Sequence, residues 1–284
     1  MKALAGKRIV VTRPRAQAAA LSGLLAERGA EPILFPTIEI APMDDHAELD
    51  GAIRRLDQFA WLVFTSVNGV DAFWARLNLI GATLSPDLRV AAIGPATAQA
   101  LEKRAIQPAF VPGEYVGEAV AAGLDDVAGR RVLLPRADIA REALAVELGQ
   151  RGAIVHEIAA YRTLPAVPDA DGLHELRRGV DAVTFTSSST VQNFVALLSG
   201  GPQYVDTAAI RRMGRDGVPM SSLGRAASAC IGPITAQTAR EAGLPVDVIA
   251  VEYTTGGLVD ALEAYFAQPD RTIKENRWIP QRSP

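Results

Sequence analysis

The sequence predicts an α/β protein with two doubly wound parallel-sheet domains, built by internal duplication, the first domain being discontinuous. Three observations predict it. Blocks of sequence recur in the same order, strand-sized apolar runs alternate with helical patterns, and a proline-bracketed stretch follows the second strand of each copy.

The duplication organises the chain, and repeats are read before anything else. RIVVTRPRA at 8–16 resembles RVLLPRADI at 131–139, and RGAEPILFP at 28–36 resembles RGAIVHEIA at 151–159, both at an offset of 123. WLVFTSVNGVDAF at 61–73 resembles AVTFTSSSTVQNF at 182–194, at 121. AAIGPATAQALEKRA at 91–105 and GEYVGEAVAAGL at 113–124 reappear as ACIGPITAQTAREAG at 229–243 and VEYTTGGLVDAL at 251–262, both at 138. The step from 121 to 138 places an insertion of 17 residues in the second copy, within 199–228, where Gly, Ser and Arg are frequent. That composition reads as a surface loop or short helix.

Strand-length apolar runs fall at 8–12, 32–35, 61–65, 89–93 and 109–111, then at 131–134, 154–158, 182–186, 228–231 and 246–249. Near-continuous apolarity suits parallel strands buried on both faces. Helical patterns such as Gln17–Arg28 and Thr97–Arg104 lie between them, and Gly29 and Gly152 stand where a helix stops. Alternation of the two element types gives doubly wound sheets.

Pro36–Pro42 and Tyr161–Pro168 are the proline-bracketed stretches. Proline favours extended chain and resists helix, so both read as interdomain crossings. The lobes are then swapped relative to the repeats. Residues 1–38 plus 166–267 form the first domain and 43–160 the second, with linkers at 36–42 and 161–168 and a tail at 268–284. The crossings are expected to form a hinge beneath an open cleft.

Composition narrows the function. At 284 residues the chain suits two domains. A net charge of -3 argues against a broad nucleic-acid surface. No apolar run approaches the ~20 residues of a membrane span, and the N-terminus lacks a signal-peptide pattern, so a cytoplasmic protein is expected. One cysteine, Cys230, and three scattered histidines, His46, His156 and His174, form no metal-ligand spacing. Neither GxxxxGK[ST] nor GxGxxG occurs, which removes the usual nucleotide signals, and GxSxG and HExxH are absent too.

Residues just beyond strand ends are the ones to weigh, because open α/β sheets bind ligands there. Phe64-Thr65-Ser66-Val67-Asn68-Gly69 and Phe185-Thr186-Ser187-Ser188-Ser189-Thr190 each run from a strand end into a hydroxyl-rich helix start. Such a start caps its own helix, or offers N–H groups to a carboxylate or phosphate. Ile93-Gly94-Pro95-Ala96-Thr97 and Ile231-Gly232-Pro233-Ile234-Thr235 place Thr97 and Thr235 in a first helical turn. Arg13 and Arg136 follow the first strand of each copy, as carboxylate clamps or as solvated side chains. Tyr161 stands where the other copy has Ile38, so it breaks the repeat at a crossing, whereas Tyr115 and Tyr253 recur and read as repeated structure.

These blocks resemble the uroporphyrinogen-III synthase family, up to about residue 267. The carriers are VVTRP (10–14), FTSVNGV (64–70), AAIGPATAQAL (91–101), VPGEYVGEAV (111–120), VLLPRA (132–137), YRT (161–163), FTSSSTV (185–191) and IGPITAQTA (231–239). The resemblance implies two α/β lobes on a two-stranded linker, no cofactor and no metal. It implies a lyase that cyclises hydroxymethylbilane, a linear tetrapyrrole with eight carboxylates, inverting the terminal ring. Hydroxide loss would give an azafulvene, and a spiro intermediate would deliver the inverted ring. Tyr161 resembles the family's important tyrosine, and Thr97 and Thr235 its cleft threonines. Ser66, Asn68, Ser187 and Ser188 would line the cleft, with Arg13 and Arg136 as further substrate contacts. No nucleic-acid or membrane partner is expected, and the chain is expected to act as a monomer. The alternative is a non-catalytic regulator on the same scaffold, which would usually carry a DNA-binding module; no helix-turn-helix extension is evident.

Overall fold

A computed structural model describes residues 2–140, 142–167, 170–199, 223–224 and 226–268. The inserted segment at 199–228 and the tail at 268–284 fall almost wholly outside the described residues. The elements run β1 (Arg8–Val11), α1 (Arg15–Glu27), β2 (Glu31–Leu34), β3 (Ile38–Pro42), α2 (Ala47–Ile53), β4 (Trp61–Phe64), α3 (Val67–Ile80), β5 (Arg89–Ala92), α4 (Pro95–Glu102) and α5 (Gly117–Gly123). They continue with β6 (Arg131–Ala137), α6 (Ala143–Gln150), β7 (Ile154–Pro165), α7 (Ala170–Arg177), β8 (Ala182–Phe185), α8 (Ser188–Leu198), β9 (Ala227–Cys230), α9 (Pro233–Glu241), β10 (Val248–Ile249) and α10 (Thr255–Phe266).

Two compact units result, Met1–Glu39 with Leu164–Pro284, and Ile40–Thr163. The first unit holds the sheet β10-β9-β8-β1-β2, parallel throughout. The second sheet runs β3-β7-β6-β4-β5, with parallel pairing from β7 to β5. Numbered by place within a repeat, both sheets share the order 2-1-3-4, with the fifth strand β10 added at the end of the first and the crossing strand β3 at the start of the second. Each takes its first two strands from one copy and the later ones from the other. The sheets are therefore doubly wound and the first domain is discontinuous, as the repeat pattern predicts. The crossing strands β3 and β7 are hydrogen-bonded neighbours, the two-stranded linker.

Two elements differ from expectation. The fifth strand of the first copy, expected at 109–111, shrinks to a single parallel bridge between Ala91 and Phe110. The second crossing is no separate segment, because β7 runs on for 12 residues to Pro165. The Pro165 ring lacks the N–H that a further ladder bond would need.

Each sheet buries both faces, so adjacent residues of one strand enter different cores. In β1, Val10 packs with Phe185 and Phe194, while Ile9 and Val11 pack with Leu21, Leu25 and Leu258. In β4, Leu62 and Phe64 join Phe73, while Trp61 and Val63 join Leu134 and Leu148. After α1 and α6 the chain turns through Gly29 (φ +86°) and Gly152 (φ +83°), left-handed positions that suit glycine. The helix starts at strand tips are equally tight. Thr254 caps α10 by accepting from the Gly257 amide at 3.0 Å.

Two outcomes follow from this packing. A Cβ at Gly257 would lie 2.2 Å from the Glu252 carbonyl oxygen, which is backbone and gives little. Gly257→Ala should therefore cost about 1–3 kcal/mol, read as a lower urea midpoint. Cys230 is buried in β9, and burial pushes its thiol up to about 12. It should resist alkylation at neutral pH and react only as the first unit unfolds; rapid labelling of the native protein would contradict this.

Candidate active site

In a parallel sheet whose strand order reverses, the reversal opens a crevice beyond the strands' carboxyl ends. The reversal lies between β6 and β4 in the second unit, and between β1 and β8 in the first. The candidate residues sit at these two places and at the tips beside them.

In the second unit Ser66 caps α3, its Oγ accepting from the Gly69 amide at 3.0 Å. Gly69 lets the helix approach β6, since a Cβ there would stand 2.9 Å from the Pro135 carbonyl oxygen. The same Ser66 Oγ lies 3.0 Å from the Tyr161 hydroxyl. Tyr161 arrives from β7, where the ladder to β6 shifts register between Arg136 and Ala137. Its ring is buried, at 7% exposure. Burial pushes the phenol above its ordinary pKa; hydrogen bonding with Ser66 and Asn68 pulls it back, Asp138 raises it and Arg136 lowers it. The net shift is upward, so Tyr161 is a neutral donor throughout the physiological range.

Three of the sequence-read residues, Tyr161, Ser66 and Asn68, thus form one hydrogen-bonded group, with Arg136 acting on it through charge. Arg136 is itself buried and ion-paired with Glu157 of β7. Thr97 is buried in the first turn of α4, whose cap is Gly94 with Pro95 next and no side-chain acceptor. The Tyr115 ring packs on Gly94, leaving 3.1 Å for any Cβ.

The first unit repeats this plan with different wiring. Ser187 caps α8 in a capping box, Ser187 Oγ accepting from the Thr190 amide and Thr190 Oγ1 from the Ser187 amide. Ser188 meets Thr238 of α9, oxygen to oxygen at 2.7 Å. Thr235 is buried in the first turn of α9, after the Gly232 cap and Pro233. Tyr253 packs on Gly232 as Tyr115 does on Gly94, so the repeated tyrosines brace the two Gly-Pro helix starts. Arg13 donates to Gln17 Oε1 at 3.1 Å, while its Nε is buried with no partner among the described residues. Burial lowers its pKa, though a guanidinium stays charged.

Sequence reading missed Glu157, Asp138 and Thr238. Asp138 reaches Tyr161, and Glu157 reaches Arg136, only because β6 and β7 pair. No periodicity marks them. Thr238 had a signal, lying three residues after Thr235 in the repeated TAQ block.

The fold and these tips define the class: a duplicated, doubly wound α/β protein with hydroxyl-rich strand tips and a buried tyrosine donor. The family described as HEM4, uroporphyrinogen-III synthase HemD, matches residues 19–260. A uroporphyrinogen-III synthase of Synechococcus elongatus is 35% identical over 271 residues, covering 93% of this chain and 97% of that protein. One from Chlorobaculum parvum is 29% identical over 258 residues, covering 88% and 95%. A solved uroporphyrinogen III synthase of Thermus thermophilus shares the fold at a TM-score of 0.61 and 23% identity, covering 92% of this chain and 99% of that one. The chain belongs to the uroporphyrinogen-III synthase family. It is an enzyme, a cyclising lyase of tetrapyrrole synthesis.

A buried guanidinium N–H without a partner costs stability. Arg13→Leu should therefore leave the melting temperature unchanged or raise it. A clear fall would show that Arg13 is structurally satisfied.

Proposed function

We propose that the enzyme acts on hydroxymethylbilane with Tyr161 as the proton donor that starts the reaction, and that the other tip groups hold the substrate's carboxylates. The observation that carries this is the buried Tyr161 hydroxyl, 3.0 Å from Ser66 Oγ and held neutral by its surroundings. The hydroxymethyl oxygen takes the tyrosine proton as its C–O bond breaks and leaves as water, giving the azafulvene. The far pyrrole attacks through its substituted carbon to form the spiro intermediate. Fragmentation and recombination close the inverted ring, and the proton released on rearomatisation restores Tyr161. The Ser66–Tyr161 contact fixes where the donor points.

The remaining work is orientation, because the substrate is reactive unaided and closes to the uninverted isomer. Eight carboxylates need donors. The Gly-Pro helix starts with Thr97 and Thr235 lack a side-chain acceptor of their own. Their first-turn N–H groups and positive dipole ends suit anions. Ser187 and Ser188 stand at a parallel start, and the Arg13 guanidinium adds a positive charge after β1. Arg136, paired with Glu157, contributes charge beside the tyrosine and a contact at the β6 tip. Among the described residues no helix is long and apolar enough to cross a membrane.

The test uses hydroxymethylbilane and chromatographic separation of the oxidised type I and type III products. The wild-type protein should give type III in excess. Tyr161→Phe should lower turnover by roughly 10²–10⁴-fold, the range for a general acid. Wild-type turnover in that variant would remove the donor role, and type I alone from the wild type would remove the reaction. Arg13→Leu should raise KM about tenfold, equivalent to the ~1.4 kcal/mol of one lost contact.

A further inference from the structure

β7 carries a bulge immediately before its tyrosine. Arg136 of β6 faces Ala159, yet the next residue, Ala137, faces Tyr161, so Ala160 is the extra residue. Burial records the same break. Along β7, Ile158 is buried and Ala159 is not, but Ala160 and Tyr161 are buried in succession. A bulge disrupts the ladder and re-aims the side chains that follow it. Here it turns the phenol toward Ser66, at the point where β6 ends.

Beyond Ala137, β6 has no further strand residue to hold β7. One residue takes over. The Asp138 amide donates to the Tyr161 carbonyl at 3.1 Å. The Asp138 carboxylate then accepts from the Thr163 amide, also at 3.1 Å, where the next ladder carbonyl would have been. Between those two bonds lies Arg162, the residue directly after the tyrosine. On the other flank Arg162 grips Asp44 with both guanidinium nitrogens, at 2.7 and 2.8 Å, and Nε reaches the Pro42 carbonyl at 3.2 Å. The strand is thus tied on both sides, and the nearest cation along it is turned to Asp44.

We propose that Asp138 is a positioning residue for Tyr161, its side chain standing in for a missing strand and holding the phenol in register against Ser66. Asp138 touches no reacting atom; it acts through the backbone that leaves the tyrosine, at the Tyr161 carbonyl and the Thr163 amide. The proposal rests on the reading of Tyr161 as the proton donor. What the carboxylate supplies here is an acceptor oxygen, so its charge is secondary.

The experiment is steady-state kinetics with hydroxymethylbilane, with product ratios, on Asp138→Asn, Asp138→Glu and Asp138→Ala. Asparagine keeps an acceptor oxygen at the same reach and should keep kcat within about threefold of wild type. Alanine removes the acceptor and glutamate displaces it by a methylene. Both should lower kcat by roughly 10–100-fold, the cost of a donor misplaced by about 1 Å, with KM nearly unchanged and more type I product. In a Tyr161→Phe background, Asp138→Ala should cost almost nothing further, because there is no donor left to position. The proposal is overturned if Asp138→Ala matches wild type, if Asp138→Asn is as impaired as Asp138→Ala, or if alanine costs its full factor without the tyrosine hydroxyl. Should the alanine variant not fold, asparagine against glutamate decides, since both keep a polar side chain at this exposed position. Full activity of Tyr161→Phe alone would instead strike the donor reading itself.

Discussion

A parallel strand buried on both faces must find hydrogen-bond partners on both edges, and β1 finds one of them across most of the chain. Ile9 pairs with Pro32 on one side and with Ala182 on the other. The second unit obeys the same constraint, with β4 of the first repeat beside β6 of the second. Each repeat holds a third strand of its own, yet in both sheets strand 1 of one copy pairs with strand 3 of the other, and this exchange requires the chain to cross twice. β3 and β7 are those crossings, and they satisfy each other's backbone by lying side by side. Pairings this distant close large loops, so assembly of the first sheet has to await the later half of the chain.

The same strand order creates the candidate tips. Helix starts beside the reversal points come in two kinds. Ser66 and Ser187 spend their oxygens on their own helices, which fixes α3 and α8 rigidly against the sheets. Gly94 and Gly232 have no oxygen to spend, and tyrosines packed on them keep side chains away from the backbone. One kind of start is structural first and the other leaves donors open. This division of labour suits a polyanionic ligand, which needs rigid placement and many weak contacts together.

At one position the duplication has diverged in chemistry. Ile38 begins β3 in the first copy, while Tyr161 stands at the equivalent place in β7. An aliphatic side chain there only packs; a phenol adds one proton. Burial raises its pKa and two polar neighbours steady the hydroxyl, so the group keeps its proton at neutral pH. The bulge, the Asp138 clasp and the Arg162–Asp44 fork all lie within a few residues of it. Strand irregularity of this kind has a cost, and it is concentrated beside the residue proposed as the proton donor.

The amino-acid sequence by itself determined the class of fold, the duplication and the swap. These depend on local apolar runs, on turn glycines and on prolines, whose preferences act over a few residues. It also marked Ser66, Thr97, Ser187, Thr235 and Tyr161 one by one, as strand-tip hydroxyls or as a break in the repeat. Only the tertiary structure decided which of them meet. Ser66 and Tyr161 are 95 residues apart, and no local pattern encodes a contact at that range. The bulge that aims Tyr161, the burial of Arg136 against Glu157 and the capture of Thr163 by Asp138 belong to the pairing of β6 with β7. The merger of the second crossing into β7 and the shrinkage of 109–111 to one bridge were decided by neighbours too. A strand extends as far as a partner's backbone accompanies it, and that length is a property of two segments, written in neither alone.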